Sequence, residues 1–379
     1  MIYLDNAATS FPKPPAVYDA VNTFMRAIGA SAARSAHRSA IEAGRIVFSA
    51  RERLASLFAV QDAARIVFTS NATAGLNIAL LGTLKPGDTV ITSSMEHNSV
   101  MRPLRHLEKE RGAKVEVIPC AKPGVFDLGR WESALAKRPK LAIVNHGSNV
   151  TGTIAPVAEI GRWCRNNGVL FAVDAAQTAG VVPIDVEAMN IDFLAFSGHK
   201  GLMGIQGTGG LFIRRGCDPM PLAFGGTGSN SESDEQPVFL PDRYESGTYN
   251  GPGIAALDAG VAFIGQKGIP AIMRHGADLV RYLFDRLDTM PRIVIHGPKS
   301  PDTMLPTVSV TVDGLDNGFV AQRLNDEFDI AVRVGLHCAP MAHRTIGTFP
   351  AGTIRISLGV FTTHEDIAAL ALALEKICG

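Results

Sequence analysis

The sequence predicts an α/β protein in which a large domain with a mainly parallel sheet precedes a smaller α+β domain. Between residues 65 and 213, short apolar runs alternate with segments of helical periodicity. Near-continuous apolar strands indicate a parallel sheet that helices cover on both faces. A chain of 379 residues is long enough to form a core in each of two domains. We therefore predict an N-terminal arm at residues 1–15, a large domain at 16–253 and a small domain at 254–379.

Composition and charge argue against several functional classes. The 36 basic side chains match 36 acidic ones, and the formal net charge of zero argues against a nucleic-acid partner. The five cysteines are scattered without CxxC spacing, which predicts neither a disulfide framework nor a metal site and favours a reducing compartment. No apolar run reaches membrane-spanning length, and the first residues do not resemble a signal peptide. We predict a cytoplasmic protein without a membrane partner.

The first part of the chain predicts an arm and two helices. We predict a short strand at residues 2–4 and a helix that Pro14 and Pro15 open and that extends to residue 25. Residues 41–58 carry apolar side chains at helical spacing and predict a long amphipathic helix. Between these helices, segment 31–39 contains His37 among small residues. The segment is either a solvated loop or a substrate-entrance loop, and its composition favours the first.

A series of strands then brings polar residues to one edge of the predicted sheet. The predicted strands are 66–69, 89–92, 114–119, 141–144, 169–173, 191–196 and 211–213. Ligands bind beyond the carboxyl ends of the strands in such sheets. The polar residues that follow these strand ends are Thr73, His97, Asn149, Asp174 and Lys200. We therefore predict that these residues, which come from separate strands, meet at one site.

Several of these positions also have ordinary structural explanations. The helix that begins near Thr73 presents free N–H groups to a phosphate, but N-capping by Ser70 or Asn71 explains the same residues. His97 either stacks on or protonates a ligand, or it is a hydrogen-bonded loop residue. Asn149 either contacts a ligand or caps the turn that follows it. Taken singly, none of these residues identifies the site.

Lys200 and Asp174 form a more specific pair. Lys200 ends a Ser-Gly-His-Lys cluster that follows the apolar run 191–196, and burial at that position favours the neutral, nucleophilic amine. A lone lysine in a turn is usually a surface residue. Pyridoxal 5′-phosphate (PLP) chemistry, however, needs an aspartate at one strand end and a lysine at a later one. The lysine holds the aldehyde as a Schiff base, and the aspartate keeps the pyridine nitrogen protonated.

The order of motifs extends this argument to a family. The motifs are Thr73, His97, Asp174-Ala-Ala-Gln177 and Ser197-Gly-His199-Lys200. This order resembles the class V aminotransferase-fold PLP enzymes and, within them, the cysteine desulfurase and selenocysteine lyase family. The resemblance begins at Tyr3-Leu4-Asp5-Asn6 and runs almost to the C-terminus. Each motif is weak alone, but the combination is specific. The resemblance implies a PLP-dependent transferase fold of the aspartate aminotransferase type.

The resemblance also implies how the cofactor is held. Lys200 would form the Schiff base and move protons at the substrate Cα, Asp174 would pair with the pyridinium nitrogen, and His97 would stack on the ring. Gln177 would form a hydrogen bond with the ring hydroxyl. The phosphate would be held by Ala72, Thr73, Ser197, His199 and, from the partner subunit, Thr248. This last role requires a homodimer.

A second constellation surrounds Cys338, in the segment Arg333-Val-Gly-Leu336-His337-Cys338-Ala339. In the resembled desulfurases, a cysteine here attacks the substrate sulfur, keeps it as a persulfide and leaves alanine. His337 and Arg333 would favour the thiolate, although Arg333 can serve the substrate instead. The alternative is that Cys338 is a small buried hydrophobe. Leu336 replaces a histidine that is common in the group, which puts thiol activation or loop packing in question.

The small domain supplies the remaining predicted substrate contact. Its predicted helices are 271–288, 318–328 and 364–378, and its predicted strands are 307–312, 330–334 and 353–358. Arg355 lies within an apolar strand, where it needs an acid partner or a ligand. We favour the ligand, because a guanidinium matches the substrate carboxylate. The resemblance also assigns Asn149 to substrate or cofactor binding and His37 to the entrance of the site.

The leading prediction is a PLP-dependent cysteine desulfurase, with L-cysteine or L-selenocysteine as substrate and no metal. The loop after Cys338 is short and resembles a group that relies on a sulfur-acceptor protein and includes enzymes acting on selenocysteine. The alternatives are a selenocysteine lyase, another class V aminotransferase or lyase, and a cofactor-free scaffold. Cys338 argues against the other class V reactions. The presence of Lys200, Asp174 and His199 together argues against the scaffold.

Overall fold

A computed structural model describes residues 1–32 and 36–378 of the chain. Strand β1 (Ile2–Tyr3) lies in the arm, and the strands of the central sheet follow as β2 (Ile66–Thr69), β3 (Thr89–Ser93), β4 (Lys114–Ile118), β5 (Leu141–Asn145), β6 (Leu170–Asp174), β7 (Phe193–Ser197) and β8 (Gly209–Ile213). Within the described residues these seven strands are ordered β2-β8-β7-β6-β5-β3-β4. Strand β8 runs antiparallel to both of its neighbours, and the other pairs are parallel. The predicted mainly parallel sheet is confirmed.

Helices cover both faces of this sheet. They are α1 (Pro15–Thr23), α2 (Arg38–Leu57), α3 (Ala72–Thr83), α4 (Asn98–Arg111), α5 (Leu128–Leu135), α6 (Val157–Asn167) and α7 (Gly251–Lys267), and a π-helical turn continues α1. Every side chain of β5, β7 and β8 is buried, which is why these strands are continuous apolar runs in the sequence. In the described part of the chain, no helix has the length and apolar character needed to cross a membrane.

The small domain is an antiparallel sheet with helices packed on it. Its elements are α8 (Ile269–Leu287), β9 (Ile293–His296), β10 (Thr307–Val312), α9 (Asn317–Phe328), β11 (Ile330–Ala331), β12 (Arg333–Gly335), α10 (Pro340–Ile346), β13 (Thr353–Ser357) and α11 (His364–Cys378). The sheet is ordered β12-β13-β10-β9. The single strand predicted at 330–334 is two strands with different partners, because β11 pairs with β1 whereas β12 pairs with β13.

Packing indicates how the chain divides into domains. The arm joins the small domain, because β1 pairs with β11 and Leu4 is fully buried in the small-domain core. Helix α7 packs on α1 and α2, and its residues Leu257 and Ile264 belong to the large-domain core. We therefore propose that the large domain extends to Gly268, the residue that follows α7, instead of ending at residue 253. Residues 33–35 of the predicted loop 31–39 lie outside the described residues.

Candidate active site

Lys200 lies in a tight turn at the carboxyl end of β7. A Cβ atom at Gly198 would overlap Oγ1 of Thr208, and one at Gly201 would overlap the carbonyl oxygen of Ala179. Only glycine therefore fits on either side of the His-Lys pair. Lys200 is half-buried in this turn, and its side-chain amine has no hydrogen-bond or ion-pair partner among the described residues.

The N-terminal arm holds the backbone of this turn. The carbonyl oxygen of His199 accepts a hydrogen bond from Nζ of Lys13 at 2.9 Å. It also accepts from Oγ1 of Thr9 and from the backbone N–H of Ser10, each at 3.1 Å. Oγ of Ser10 donates in turn to the Lys200 carbonyl at 2.9 Å. Sequence reasoning missed this contact, because nothing in the arm indicates that it reaches a turn so distant along the chain.

The surroundings of Lys200 bring four further predicted residues together. Burial is the main reason why the pKa of the Lys200 ammonium is lowered to about 8. Asp174 and Cys338 oppose this shift, whereas Arg355 and Arg333 lower the pKa further. These side chains come from both domains, and each lies close enough to Lys200 to act on its charge. The predicted site is therefore assembled at the junction of the two domains.

Ser99 links His97 to Asp174. Oγ of Ser99 donates to Oδ2 of the buried Asp174 at 3.1 Å and lies 2.8 Å from Nδ1 of His97. Oδ1 of Asp174 accepts from the backbone N–H of Ala176 at 2.9 Å. Burial lowers the pKa of His97 to about 4, so its imidazole is neutral at pH 7. Ser99 was not predicted, although a serine two residues after the histidine at a helix start is a visible signal.

Glu96 is a second acidic group beside Asp174 that the sequence did not reveal. Its side chain is fully buried, and Oε1 accepts hydrogen bonds from Oγ of Ser93 at 2.5 Å and from the backbone N–H of Asn145 at 3.2 Å. Oε2 has no partner among the described residues. Burial and, to a smaller extent, the nearby Asp174 raise the pKa of the carboxyl to about 8, against the hydrogen bonds from Ser93 and Asn145, which lower it. Glu96 is therefore mostly protonated at pH 7.

The start of α3 meets the end of β7, as predicted for a phosphate site. The backbone N–H of Ala72 donates to Oγ of Ser197 at 3.3 Å. Asn71 caps the helix, since its Oδ1 accepts from the N–H of Ala74 at 3.0 Å. Thr73 is exposed beside this cap. The capping interpretation is therefore correct, and it leaves the side chain of Thr73 available to a ligand.

Arg355 has an acid partner that the sequence analysis did not favour. Nη2 of Arg355 lies 2.5 Å from Oδ1 of Asp5, and Nη1 donates to the backbone carbonyl of Asn149 at 3.2 Å. The guanidinium is almost completely buried, and its Nε has no partner among the described residues. Asn149 donates from Nδ2 to the carbonyl of His337 at 2.8 Å, while Ser148 caps the turn that follows. The turn-capping alternative for Asn149 is therefore wrong.

The loop after β12 exposes the thiol of Cys338 to solvent. His337 and Cys338 have left-handed backbones with φ of +47° and +57°, which non-glycine residues rarely adopt. Their neighbour Ala339 is buried, whereas Cys338 is exposed. The alternative of a buried Cys338 is therefore wrong. Burial raises the pKa of the other four thiols, which are Cys120, Cys164, Cys217 and Cys378.

The structure corrects the expected role of His337. Its side chain is buried, and Nε2 lies 3.2 Å from Oγ1 of Thr353. Burial and the nearby Arg355 lower the pKa of the imidazole to about 2, so it is neutral at pH 7. His337 therefore provides no positive charge for the Cys338 thiol. Arg333, which is exposed on β12, remains as a nearby cation.

The remaining predicted residues lie at the edges of the site. Nε2 of Gln177 donates to the carbonyl of Ala7 at 2.9 Å. His37 is exposed and caps α2, with Nδ1 accepting from the N–H of Ala40 at 3.3 Å. Thr248 is exposed in a groove of about 490 Å³ that also contains Ser70. In the described part of the chain, no group of three or more acidic, histidine or cysteine side chains forms a metal site.

The donors and acceptors left unpaired at this site fit PLP and an amino-acid substrate. Buried polar atoms in proteins are normally hydrogen-bonded. Among the described residues, Nδ1 of His199, Nε of Arg355 and Oδ1 of Asn149 are buried without a partner. The unpaired Lys200 amine supplies a carbonyl-reactive nitrogen beside Asp174. The nitrogens of His199 and Arg355 can donate to anionic groups, and Oδ1 of Asn149 can accept from a ligand N–H or O–H.

The fold and site define a class of protein that the comparisons confirm. The chain belongs to the class V aminotransferase family, whose model matches residues 2–370. A probable cysteine desulfurase of Methanothermobacter thermautotrophicus is 34% identical, and the match covers 100% of this chain and 95% of that protein. A cysteine desulfurase of Escherichia coli O157:H7 is 31% identical, with 100% and 93% covered. Within the family, the chain is therefore one of the cysteine desulfurases.

Solved structures confirm the predicted PLP-dependent transferase fold. The apo structure of a cysteine desulfurase from Thermococcus onnurineus NA1 superposes with a TM-score of 0.92 at 34% identity, covering 100% of this chain and 94% of that one. The cysteine desulfurase CsdA from Escherichia coli superposes with a TM-score of 0.88 at 28% identity, covering 99% of this chain and 94% of that one.

Proposed function

We propose that this protein is a PLP-dependent cysteine desulfurase that removes sulfur from L-cysteine, yielding L-alanine and a persulfide on Cys338. The observation that carries the proposal is the position of Cys338. Of the five thiols it is the exposed one, and it lies close enough to Lys200 to raise the pKa of the lysine ammonium. A free thiol beside the cofactor lysine is needed for sulfur abstraction and has no use in transamination.

Residues at the carboxyl ends of β3, β6 and β7 and at the start of α3 would hold the cofactor. Lys200 would carry its aldehyde, Asp174 would pair with its pyridine nitrogen, and His97 would cover one face of its ring. The phosphate and hydroxyl contacts would come from Ala72, Thr73, Ser197, His199 and Gln177. When bound, PLP supplies an electron sink for charge released at the substrate Cα.

The protein's own residues would orient and cleave the substrate. Arg355, with its unpaired Nε, would bind the substrate carboxylate beside Asn149, and His37 and Arg333 would lie at the entrance. Nζ of Lys200 would take the proton from Cα. The Cys338 thiolate would attack the substrate sulfur, forming an S–S bond as the Cβ–S bond breaks. The electron pair of that bond stays on carbon, and a proton completes the methyl group of alanine.

A single-turnover experiment tests this function. The holoenzyme is mixed with L-cysteine in the absence of reductant, and alanine is measured together with the masses of its cysteine peptides. We expect alanine to form and the Cys338 peptide to gain one sulfur atom, while Lys200→Ala forms none. Cys217→Ala is the control that should behave like the wild type. Sulfur on another cysteine, or alanine from Lys200→Ala, would contradict the proposal.

We also propose a homodimer, in which Thr248 contacts the phosphate bound by the partner subunit. Large apolar side chains are exposed on the large domain, including Met25, Phe48, Phe224 and Val238. Such surfaces favour association. Sedimentation equilibrium should give a dimer at micromolar concentration, and a monomer would contradict the proposal.

A sulfur-acceptor protein and a reducing, cytoplasmic compartment also belong to the proposed function. The five free cysteines support a reducing compartment.

A further inference from the structure

A groove of about 660 Å³ opens beside the Cys338 loop. Helix α4, helix α10 and the end of β4 form its walls. The groove is lined by Ser94, Asn98, Met101, Arg102, Arg105, Pro119, Cys120, Pro340, Met341, Arg344 and Thr345. We call this surface the arginine groove, after its three arginines.

The arginine groove concentrates positive charge on a protein whose formal net charge is zero. Arg102 forms no ion pair with the described residues, and Arg344 stacks on the ring of Phe349 at 4.2 Å. Arg105 is paired with Glu108 at 2.6 Å. None of the lining residues in the described part of the chain is acidic. The positive charge of the groove therefore favours an anionic partner. Methionine and proline side chains, which also line the groove, add apolar contacts.

The groove is held in a fixed position relative to Cys338. The backbone N–H of Asn98, in one wall, donates to the Cys338 carbonyl at 2.8 Å. Pro340, two residues after Cys338, begins the opposite wall. Oγ1 of Thr345 donates to Ser94 at 2.9 Å, which ties α10 to the large domain. A molecule bound in the groove would thus lie next to the exposed thiol.

We propose that the arginine groove docks the acidic surface of a protein that accepts sulfur from Cys338. This inference rests on the proposed function. In the transfer step, a thiolate of the acceptor attacks the outer sulfur of the Cys338 persulfide. An S–S bond forms on the acceptor, the bond to Sγ of Cys338 breaks, and Cys338 leaves as a thiolate. The step needs no external oxidant or reductant, because sulfur moves between two thiols of the same oxidation state.

Charge-reversed variants test the docking role separately from catalysis. The probe is a synthetic cysteine peptide rich in aspartate and glutamate, and a lysine-rich peptide of equal length is its counterpart. We compare wild type with Arg105→Glu/Arg344→Glu, and Arg102 is left in place because its charge acts on the pKa of His97. The control is Arg162→Glu/Arg215→Glu, which changes the charge equally at exposed positions outside the groove. Persulfide transfer to each peptide is followed by mass spectrometry, and alanine formation is measured with dithiothreitol as the small acceptor.

The expected results follow from the charges. Transfer to the acidic peptide should exceed transfer to the basic one at least tenfold at low salt, and the advantage should shrink as salt rises. The groove variant should lose most of this preference, whereas the control variant should keep it. All three proteins should form alanine with dithiothreitol at rates within about twofold of one another, since screened surface charges contribute little to the chemical step.

Other outcomes would overturn the inference. Equal transfer to both peptides, or an unchanged preference in the groove variant, would show that the groove does not dock an acidic acceptor. Stronger competition from an RNA oligonucleotide than from the acidic peptide would make the groove a nucleic-acid surface instead. Absence of alanine from the wild type would contradict the proposed function alone. Fluorescence anisotropy of the labelled acidic peptide would then still decide whether the groove binds it.

Discussion

Arg355 and Asp5 form an ion pair with 2.5 Å between Nη2 and Oδ1, and the pair joins β13, an inner strand of the small-domain sheet, to the N-terminal arm. The ion pair gives Nη2 of the buried Arg355 guanidinium a partner and leaves its Nε without one among the described residues. The arginine is thus fixed by the protein and still has a donor for a carboxylate. The same arm that holds Arg355 also holds the Lys200 turn through Thr9, Ser10 and Lys13.

Asp5→Asn should destabilise the protein, because it removes the partner of a buried charge. We expect the free energy of unfolding of the apoenzyme to fall by about 1–3 kcal/mol. Asp329→Asn is the matched control, since it removes an exposed ion pair with the N-terminus and should cost less than about 1 kcal/mol. Denaturant unfolding measures both. Equal effects of the two substitutions would mean that the Arg355–Asp5 pair does not stabilise the fold.

Ser99→Ala should lower kcat with little change in KM. The substitution removes the hydrogen bond to Asp174 and frees the His97 ring, but it leaves Arg355 untouched. The loss of one hydrogen bond to a charged group predicts a decrease on the order of tenfold. Ser99→Thr, which keeps the hydroxyl, should restore most of the activity. A wild-type kcat in Ser99→Ala would rule out a positioning role for the serine.

The sequence predicted the central sheet, and it predicted which strand ends contribute residues to the candidate site, because both features leave local patterns in the sequence. Strands buried on both faces leave apolar runs, so β5 and β7 were visible, and polar residues after each run marked the carboxyl edge. Helices α4, α5 and α6 were not assigned individually. Residues 330–334 were predicted as a single strand. They form two strands, because β11 pairs with β1 and β12 with β13, and these contacts are distant in sequence.

The unpredicted parts of the site all involve long-range contacts. Asp5 pairs with Arg355, and Lys13 bonds the His199 carbonyl, but neither position carries a motif of its own. The sequence also does not show which ionisable side chains are buried, and burial shifts their pKa values toward the neutral form. His337 was expected to be cationic, yet its buried position makes it neutral, and Glu96 is a carboxylic acid rather than a carboxylate at pH 7.

Lys200 should react as a neutral amine from about pH 8. Burial lowers the pKa of its ammonium from 10.5 to about 8, so the reactive fraction reaches half near pH 8 and then levels off. The rate at which PLP reconstitutes the apoenzyme should follow this curve. In the same window, between pH 8 and 10.5, the unfolded chain binds more protons at this lysine than the folded one, so its contribution to stability rises with pH. A reconstitution rate that climbs steadily to pH 10 would contradict the lowered pKa.

Glu96 should make stability fall as pH rises. Burial raises its pKa from 4.5 to about 8, so between these values the folded protein holds a proton that the unfolded chain has lost. Stability therefore decreases with pH through this window, by on the order of 1 kcal/mol per pH unit from this group. Glu96→Gln removes the slope, and its stability relative to wild type should increase from pH 5 to pH 8. Parallel stability curves for the two proteins would show that Glu96 is ionised in the native state.

The central claim is that Cys338 is the nucleophile that takes sulfur from the substrate. The most direct measurement is alanine release from L-cysteine and from L-selenocysteine by wild type, Cys338→Ala and the control Cys217→Ala. We predict that Cys338→Ala loses activity on L-cysteine but keeps activity on L-selenocysteine, from which selenium leaves without a thiol nucleophile, while the control retains both. Equal activity of wild type and Cys338→Ala on both substrates would contradict this account and make Cys338 a structural residue.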